Sequence, residues 1–235
     1  MTTQRTTPAS QTLSRGIRIL EELAYAREPL TIDAIAERLE VHRSIAYRLL
    51  RTLELHGLAV RDAGGRVQLG ARMATLAAGV AYDLHSEALP ELTAVANDLA
   101  VTCFLAVRDH DECITLTSVE PRHAVASLAQ RPGSRHSMLV GAPSKAILSA
   151  LAPSRWPAGV DERLRDELAA AAEQGYATSH DEVIPTVRSV AVPLGLPANR
   201  DAAAIAVVYV GDHDEARIAA RLQESARIIR SFLGG

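Results

Sequence analysis

Cysteine is scarce in this chain, with Cys103 and Cys113 the only two among 235 residues. Two thiols cannot build a disulfide framework, and a reducing compartment suits them. No Cys/His spacing offers four zinc ligands. Aromatic residues make up 3% of the chain, and Lys145 is the single lysine among 25 cationic residues. No apolar run reaches the roughly 18 residues that a membrane helix needs, so no membrane partner is expected. The stretch from Met1 to Ser10 is polar and lacks the apolar core of a secretory signal, which makes the cytoplasm the expected location. No glycine-rich phosphate loop appears, and no cofactor is expected. What is present, 48% hydrophobic and 23% charged residues, suits a globular chain of one to two domains.

Charge is unevenly spread. Residues 1–75 hold eleven arginines against eight acids, a net of +3, whereas residues 76–235 hold fourteen cations against twenty acids, a net of −6. A basic module on an acidic body points to an anionic partner for the first part. Arginine suits that role because its planar fork matches phosphate and guanine.

Leu13, Ile17, Leu20 and Ala24 recur at helical spacing, and the helix should stop before Pro29. Thr31 is a fair N-cap for a second helix with Ile32, Ile35, Ala36 and Leu39. After a turn at 40–42, a third helix is expected from Arg43 to His56, ended by Gly57. Two strand-like runs, 58–61 and 66–69, are joined by Asp62-Ala63-Gly64-Gly65 as a hairpin. This is the outline of a winged helix-turn-helix. A helical connector is expected from Ala71 to Ser86. From Pro90 onward come a helix at 91–99, then strands at 101–107, 113–119 and 124–130. Helices at 144–151 and 161–174, strands at 189–194 and 203–210, and a last helix at 213–233 follow. The second half is therefore expected to be α+β with an antiparallel sheet. The expected domains are residues 12–70, a linker over 71–89, and 90–235.

On a helix advancing about 100° per residue, Ala46, Leu49, Leu50 and Leu53 form one apolar face. Ser44, Tyr47, Arg48 and Arg51 lie almost opposite, with Arg43 near the N-terminal end. Recognition helices present such residues to the major groove, where Arg can pair bidentately with guanine and Ser or Tyr can hold phosphates. A solvated face is the bland alternative. Three arginines with no acid before Glu54, and the preceding helix and tight turn, favour DNA. Arg66 on the hairpin is placed to reach the adjacent phosphates. Double-stranded operator DNA is thus the expected partner.

Leu13-Ser14-Arg15-Gly16-Ile17-Arg18-Ile19-Leu20 and Arg43-Ser44-Ile45-Ala46-Tyr47-Arg48-Leu49-Leu50-Arg51-Thr52-Leu53 resemble segments of the isocitrate-lyase-regulator (IclR) family of bacterial transcription factors. So do Gly57 and the stretch 65–70. In the body, Arg131-Pro132-Gly133-Ser134-Arg135, Ser144-Lys145-Ala146-Ile147-Leu148, Gly175-Tyr176 and the stretch 187–193 fall in the family's order. The resemblance covers about residues 12–233. It implies a winged helix-turn-helix DNA-binding domain joined by a helix to a GAF-like effector domain. It also implies dimers through the first module, tetramers through the second, and a small organic effector that shifts operator binding.

The chain departs from the family pattern around the implied pocket. Ser189 stands where a Cys is common, Ser179 and His180 precede Asp181 and Glu182, and Val208, Tyr209 and Val210 replace small hydroxyl residues. By this resemblance Met138, Gly141, Ala142, Ser179, Asp181, Ser189 and Tyr209 are the expected effector contacts. None is a cation, so the effector is expected to be neutral or singly charged and partly aromatic or aliphatic.

Other groupings carry less. Ser179-His180-Asp181 contains triad residue types, but consecutive residues cannot adopt triad geometry. Cys103 and Cys113 lie on neighbouring expected strands, and buried structural thiols are favoured over a redox pair. Lys145 is expected to be a surface charge. Trp156 and Tyr176 fit a pocket wall or a satellite hydrophobic cluster equally well. His85, His110, His123, His136, His180 and His213 are scattered without ligand spacing. Two other functions stay open at this level: a winged-helix regulator that senses a protein, and an enzyme whose first module serves assembly. The arginine face and the missing nucleophile–base pair weigh against the enzyme.

Overall fold

The computed structural model describes residues 10–26, 28–77, 79, 82–123, 128–196 and 202–233. The chain forms two compact units, residues 1–80 and 81–235.

In the first unit, α1 (Gln11–Tyr25) starts where the Ser10 side chain accepts a hydrogen bond from Leu13 N. Thr31 caps α2 (Ile32–Arg38) in the same way through Ala34 N. α2 ends in a Schellman arrangement, with Val41 N donating to Ala36 O and Glu40 N to Glu37 O. Glu40 adopts the left-handed conformation that glycine usually supplies there, with φ 55. This tight turn delivers the chain into α3 (Arg43–Leu55). β1 (Ala59–Arg61) and β2 (Val67–Leu69) pair antiparallel, and Leu30 adds a bridge to Val67. The helices meet over a core of Ile19, Ile35, Ala46, Leu50 and Val67, all fully buried. α4 (Arg72–Ala77) follows.

The second unit is built on a six-stranded antiparallel sheet of order β5-β4-β3-β8-β7-β6. Its strands are β3 (Thr102–Asp109), β4 (Glu112–Val119), β5 (Arg135–Ser137), β6 (Ala177–His180), β7 (Arg188–Pro193) and β8 (Ala203–Tyr209). The central strands are buried on both faces, so their two side-chain sets separate by strict alternation. Cys103, Leu105, Val190, Val192, Ile205, Val207 and Tyr209 pack with α5 (Tyr82–Leu99) and α8 (Glu215–Phe232). Phe104, Ala106, Ala177, Ala191, Ala204 and Ala206 face α6 (Ala142–Ser149) and α7 (Glu162–Gln174). The alanines make a shallow floor, and α6 lies close upon it with residues 142–148 all buried.

The differences from the sequence expectation are physical. Pro90 does not start a helix but lies inside α5. A proline removes one intrahelical hydrogen bond, yet Leu84 and Ala88 before it and Leu92, Val95 and Ala96 after it dock on one core. The single connecting helix expected over 71–89 is replaced by α4 and the first half of α5. The strand expected at 124–130 falls partly on 124–127, outside the described residues, and 128–130 are irregular. The third strand of that side is β5, three polar residues with no pattern to betray it. β6 was invisible for the same reason. Cys103 and Cys113 belong to cores on opposite faces of the sheet, so they are not a redox pair. Burial pushes both thiols up, Cys113 to about 12 despite its hydrogen bond with Ser144.

A close contact at the foot of the wing gives a stability test. A Cβ on Gly70 would stand 2.1 Å from the Gly57 carbonyl oxygen, where backbone opposes backbone. Gly70→Ala is expected to destabilise the first unit by about 3 kcal/mol, the upper range for overpacking. Hydrogen exchange at the α3 amides measures it, and unchanged protection would contradict the packing described.

Candidate functional site

The outward face of α3 is set by the burial of Ala46, Leu49, Leu50 and Leu53 on the other side. Ser44, Arg48 and Arg51 lie on the exposed side, and Tyr47 flanks them with 43% of its surface open. Arg48 and Arg51 make no ion pair among the described residues. Arg43 is different. Its Nη1 donates to both Asp33 oxygens at 2.5 Å, which ties the start of α3 to α2. Ser44 is within 2.9 Å of Nδ1 of His42, the capping residue. Arg66 lines a cavity of about 540 Å³ with Tyr25, Thr31 and Arg38, on the side where α1 ends and α2 begins. The wing residue beside the recognition face is Arg61, not singled out by the sequence because only the β1 register aims it there. Its guanidinium carbon lies 5.9 Å from the Tyr47 ring centroid, and its Nε and Nη2 are each 3.0 Å from Glu54 Oε1.

In the second unit the expected effector contacts do not all converge. Ser179 and Ser189 are a cross-strand pair, Ser189 is opposite Val208, and Val208 is opposite Thr102. These four share the α6/α7 face of the sheet. Met138 and Ala142 are fully buried on that side as well. Gly141 precedes α6 with φ 87, and a Cβ there would meet Val183 Cγ2 at 3.0 Å and His136 Cε1 at 3.1 Å. Tyr209 points to the other face. Its hydroxyl lies 3.4 Å from Glu215 Oε1, and burial together with that carboxylate raises its pKa to about 12. Tyr209 therefore lies on the opposite face from Ser189, and Val208 is the β8 residue that shares the face of Ser189. Asp181 is on an exposed loop, in a left-handed conformation, accepting from Thr186 N. Its carboxylate serves that turn.

Lys145 is a second correction, because it is not a surface charge. It is 5% exposed, and its Nζ lies 2.5 Å from Glu182 Oε1 and 2.6 Å from Glu167 Oε2. Glu182 Oε2 accepts from Gly141 N at 2.8 Å, and Arg163 Nε donates to Glu167. Two cavities, of about 290 and 400 Å³, flank this bridge. Leu139, Val140, Gly159 and Leu164 line the first. Ser179, Thr178, Gln174 and His180 are among those lining the second, and Ser179 is the one expected contact that borders either. Burial pushes the Glu167 carboxyl up, but hydrogen bonds and charge from Lys145 and Arg163 outweigh it and hold it below the ordinary range. Burial lowers the pKa of His136. Trp156 donates to Leu148 O and Leu151 O and belongs to the hydrophobic cluster at the end of α6.

Comparison with known proteins gives one answer for both units. Residues 12–63 match the IclR helix-turn-helix domain, and residues 77–231 match the bacterial transcriptional regulator IclR C-terminal domain. The chain is 25% identical to the HTH-type transcriptional regulator XynR of Escherichia coli, across 97% of this chain and 98% of that protein. Among solved structures it is similar to an IclR transcriptional regulator from Alicyclobacillus acidocaldarius, with a TM-score of 0.85, 26% identity, and coverage of 97% and 100%. It is also similar to an IclR homologue from Microbacterium hydrocarbonoxydans complexed with 4-hydroxybenzoate, with a TM-score of 0.82, 26% identity, and coverage of 95% and 99%.

The ion network predicts an acid-sensitive contribution to stability. Lys145→Met leaves two carboxylates facing each other without their cation, and should cost about 3 kcal/mol at neutral pH. A carboxyl held below 4.5 in the folded chain stabilises it above that pH, and the contribution is lost as pH falls through the lowered value. The gap between wild type and variant should therefore narrow as pH drops below 4.5. Urea unfolding followed by the single tryptophan, Trp156, measures both. A gap that is constant with pH would contradict the assignment.

Proposed function

Because the chain belongs to the IclR family of bacterial transcriptional regulators, we propose that it reads a specific operator through α3 and that a small organic effector in the second unit sets its affinity. It is a regulator with a helix-turn-helix DNA-binding domain, and the family is not enzymatic. The observation that carries the operator reading is the exposed stripe of Ser44, Arg48 and Arg51, where two guanidinium groups have no ion pair among the described residues to give up. Arg43 contributes less, since Asp33 already holds it. Arg66 meets phosphate from the side of α1 and α2. The module acts as a dimer or dimer of dimers on a pseudo-palindromic site, as the family resemblance implies.

The effector reading rests on the face shared by Met138, Ala142, Ser179, Ser189 and Val208, next to Gly141. Two of its hydroxyls are already committed as donors. Ser189 Oγ donates to Val207 O at 2.8 Å, and Thr102 Oγ1 donates to Leu128 O at 2.7 Å. What they have left for a ligand is lone pairs. Lys145 is neutralised by its two carboxylates. A ligand that brings its own O–H or N–H donor and no more than one negative charge suits this wall. The 4-hydroxybenzoate held by the similar Microbacterium protein has that character.

The operator reading is tested with a duplex selected by the protein from randomised DNA. Arg48→Ala and Arg51→Ala are each expected to lose about 1–3 kcal/mol of specific binding where they pair with a base, and Arg43→Ala less. Binding of wild type should weaken steeply with salt, because neutralised phosphates release counterions. Equal, salt-insensitive affinity for selected and random DNA would overturn the operator reading.

For the effector, 4-hydroxybenzoate should shift operator binding more than benzoate, which lacks the hydroxyl donor. Ser189→Leu should abolish the shift and leave DNA binding intact. Ser189→Ala, which keeps the fold but removes the acceptor, should remove the preference between the two acids. An equal response of wild type to both acids would contradict the acceptor wall.

A further inference from the structure

The cluster of Glu54, Arg61 and Tyr47 is not used by the family comparison or by the arginine stripe, and it joins wing to recognition helix. Tyr47 and Glu54 lie two turns apart on one flank of α3. Arg61 ends β1, immediately before the wing turn that Asp62 organises by accepting from Arg66 N at 2.8 Å. The Glu54–Arg61 side chains are 26% and 28% exposed, well below the 63% and 64% of the Arg43–Asp33 pair. Glu54 holds the guanidinium through Nε and Nη2, and the guanidinium carbon stands 5.9 Å from the Tyr47 ring centroid, within cation–π range.

We propose that Arg61 is a positioning residue for operator recognition, which, clamped by Glu54, fixes the Tyr47 ring on the DNA-facing flank of α3 and couples the wing to that helix. The proposal rests on the operator reading above. An exposed tyrosine on a helix flank has free rotation about its first side-chain bonds, and ordering it on binding costs entropy. A guanidinium held from behind by a carboxylate removes that freedom before DNA arrives. Because Glu54 already balances its charge, Arg61 adds little to phosphate attraction. Its effect belongs to sequence discrimination and not to overall electrostatic affinity. Lysine cannot replace it, since a single ammonium cannot present two donors to Glu54 while lying flat beside a ring.

The test uses the full chain and two duplexes of equal length and composition: one selected by wild type from randomised DNA, and one scrambled. If selection enriches no sequence, the operator reading itself fails, separately from this proposal. With a selected duplex in hand, Arg61→Ala is expected to weaken its binding by about three- to tenfold, the range of a cation–π contact. Binding to the scrambled duplex and the salt slope should stay near wild type. Arg61→Lys should behave like Arg61→Ala. Glu54→Gln, which keeps shape at the helix end, should reproduce the loss and serves as the readout if Arg61→Ala does not fold. In a Tyr47→Ala background, Arg61→Ala should cause no further loss. The proposal is overturned if Arg61→Ala and Glu54→Gln both bind like wild type, or if the losses of Tyr47→Ala and Arg61→Ala multiply. It is also overturned if Arg61→Ala weakens both duplexes equally with a slope reduced by about 0.9, the signature of a lost phosphate contact.

Discussion

A buried ammonium cannot be left unpaired, and in the second unit that requirement gathers three distant parts of the chain. Lys145 on α6 meets Glu167 on α7 and Glu182 on the loop between β6 and β7. The same Glu182 carboxylate accepts from Gly141 N, so the start of α6 and the loop are held together. Neither link survives alone. Without Glu182 the amide and the ammonium both lose a partner, and without Lys145 two carboxylates repel at close range. The alanine floor of the sheet makes this possible, because small side chains on β7 and β8 let α6 come close enough for Lys145 to reach both carboxylates. The walls of the proposed effector face, Gly141–Ala142 on one side and Ser179–Ser189 on the other, are therefore positioned by a polar network that lies beside them.

Much of the architecture was legible because it is written in local periodicity. Thr31, Gly57 and the 62–65 turn play the roles expected of them, and the apolar spacing of α3 matches its buried set, whereas α1 buries Gly16, Ile19 and Leu23 and leaves Leu13, Ile17 and Ala24 of its expected stripe exposed. The failures have physical causes. β5 is three polar residues and β6 is four with Ala177 alone apolar, so pairing with a neighbour and not their own pattern makes them strands. Pro90 looked like a boundary, and core contacts on both sides of it override the lost hydrogen bond. Tyr209 and Ser189 were grouped although strand parity separates them, a distinction that follows from pairing Arg188, not Ser189, with Tyr209. Lys145 looked like an exposed cation because its two partners lie 22 and 37 residues away, beyond the reach of any local pattern.

Charge counting points to an anionic partner for the first unit but does not say which arginines can meet it. Four arginines cluster on or near its recognition side, but intramolecular pairing divides them. Arg43 is tied to Asp33, and Arg61 to Glu54, while Arg48 and Arg51 have no such pair among the described residues. An arginine that must break a pair to meet DNA gives back part of what it gains, and the remaining charge at its site is the carboxylate it left. Pairing leaves the net +3 of the segment unchanged, so the net charge says nothing of which cations are on offer or where they are. The two unpaired groups lie one turn apart on the exposed side of α3, which is the geometry a groove requires.

The same accounting governs the proposed effector face. A serine or threonine hydroxyl is one donor and two lone pairs, and the protein has already used the donors of Ser189 and Thr102 on its own carbonyls. Composition would describe this wall as polar and hospitable to a carboxylate. What Ser189 and Thr102 offer is acceptors, which welcome a hydroxyl or amide hydrogen. Lys145, the cation on α6, is already held by Glu167 and Glu182. In both units the chemistry available to a partner is what remains after the fold has satisfied itself: two guanidinium groups on α3, and lone pairs on the sheet.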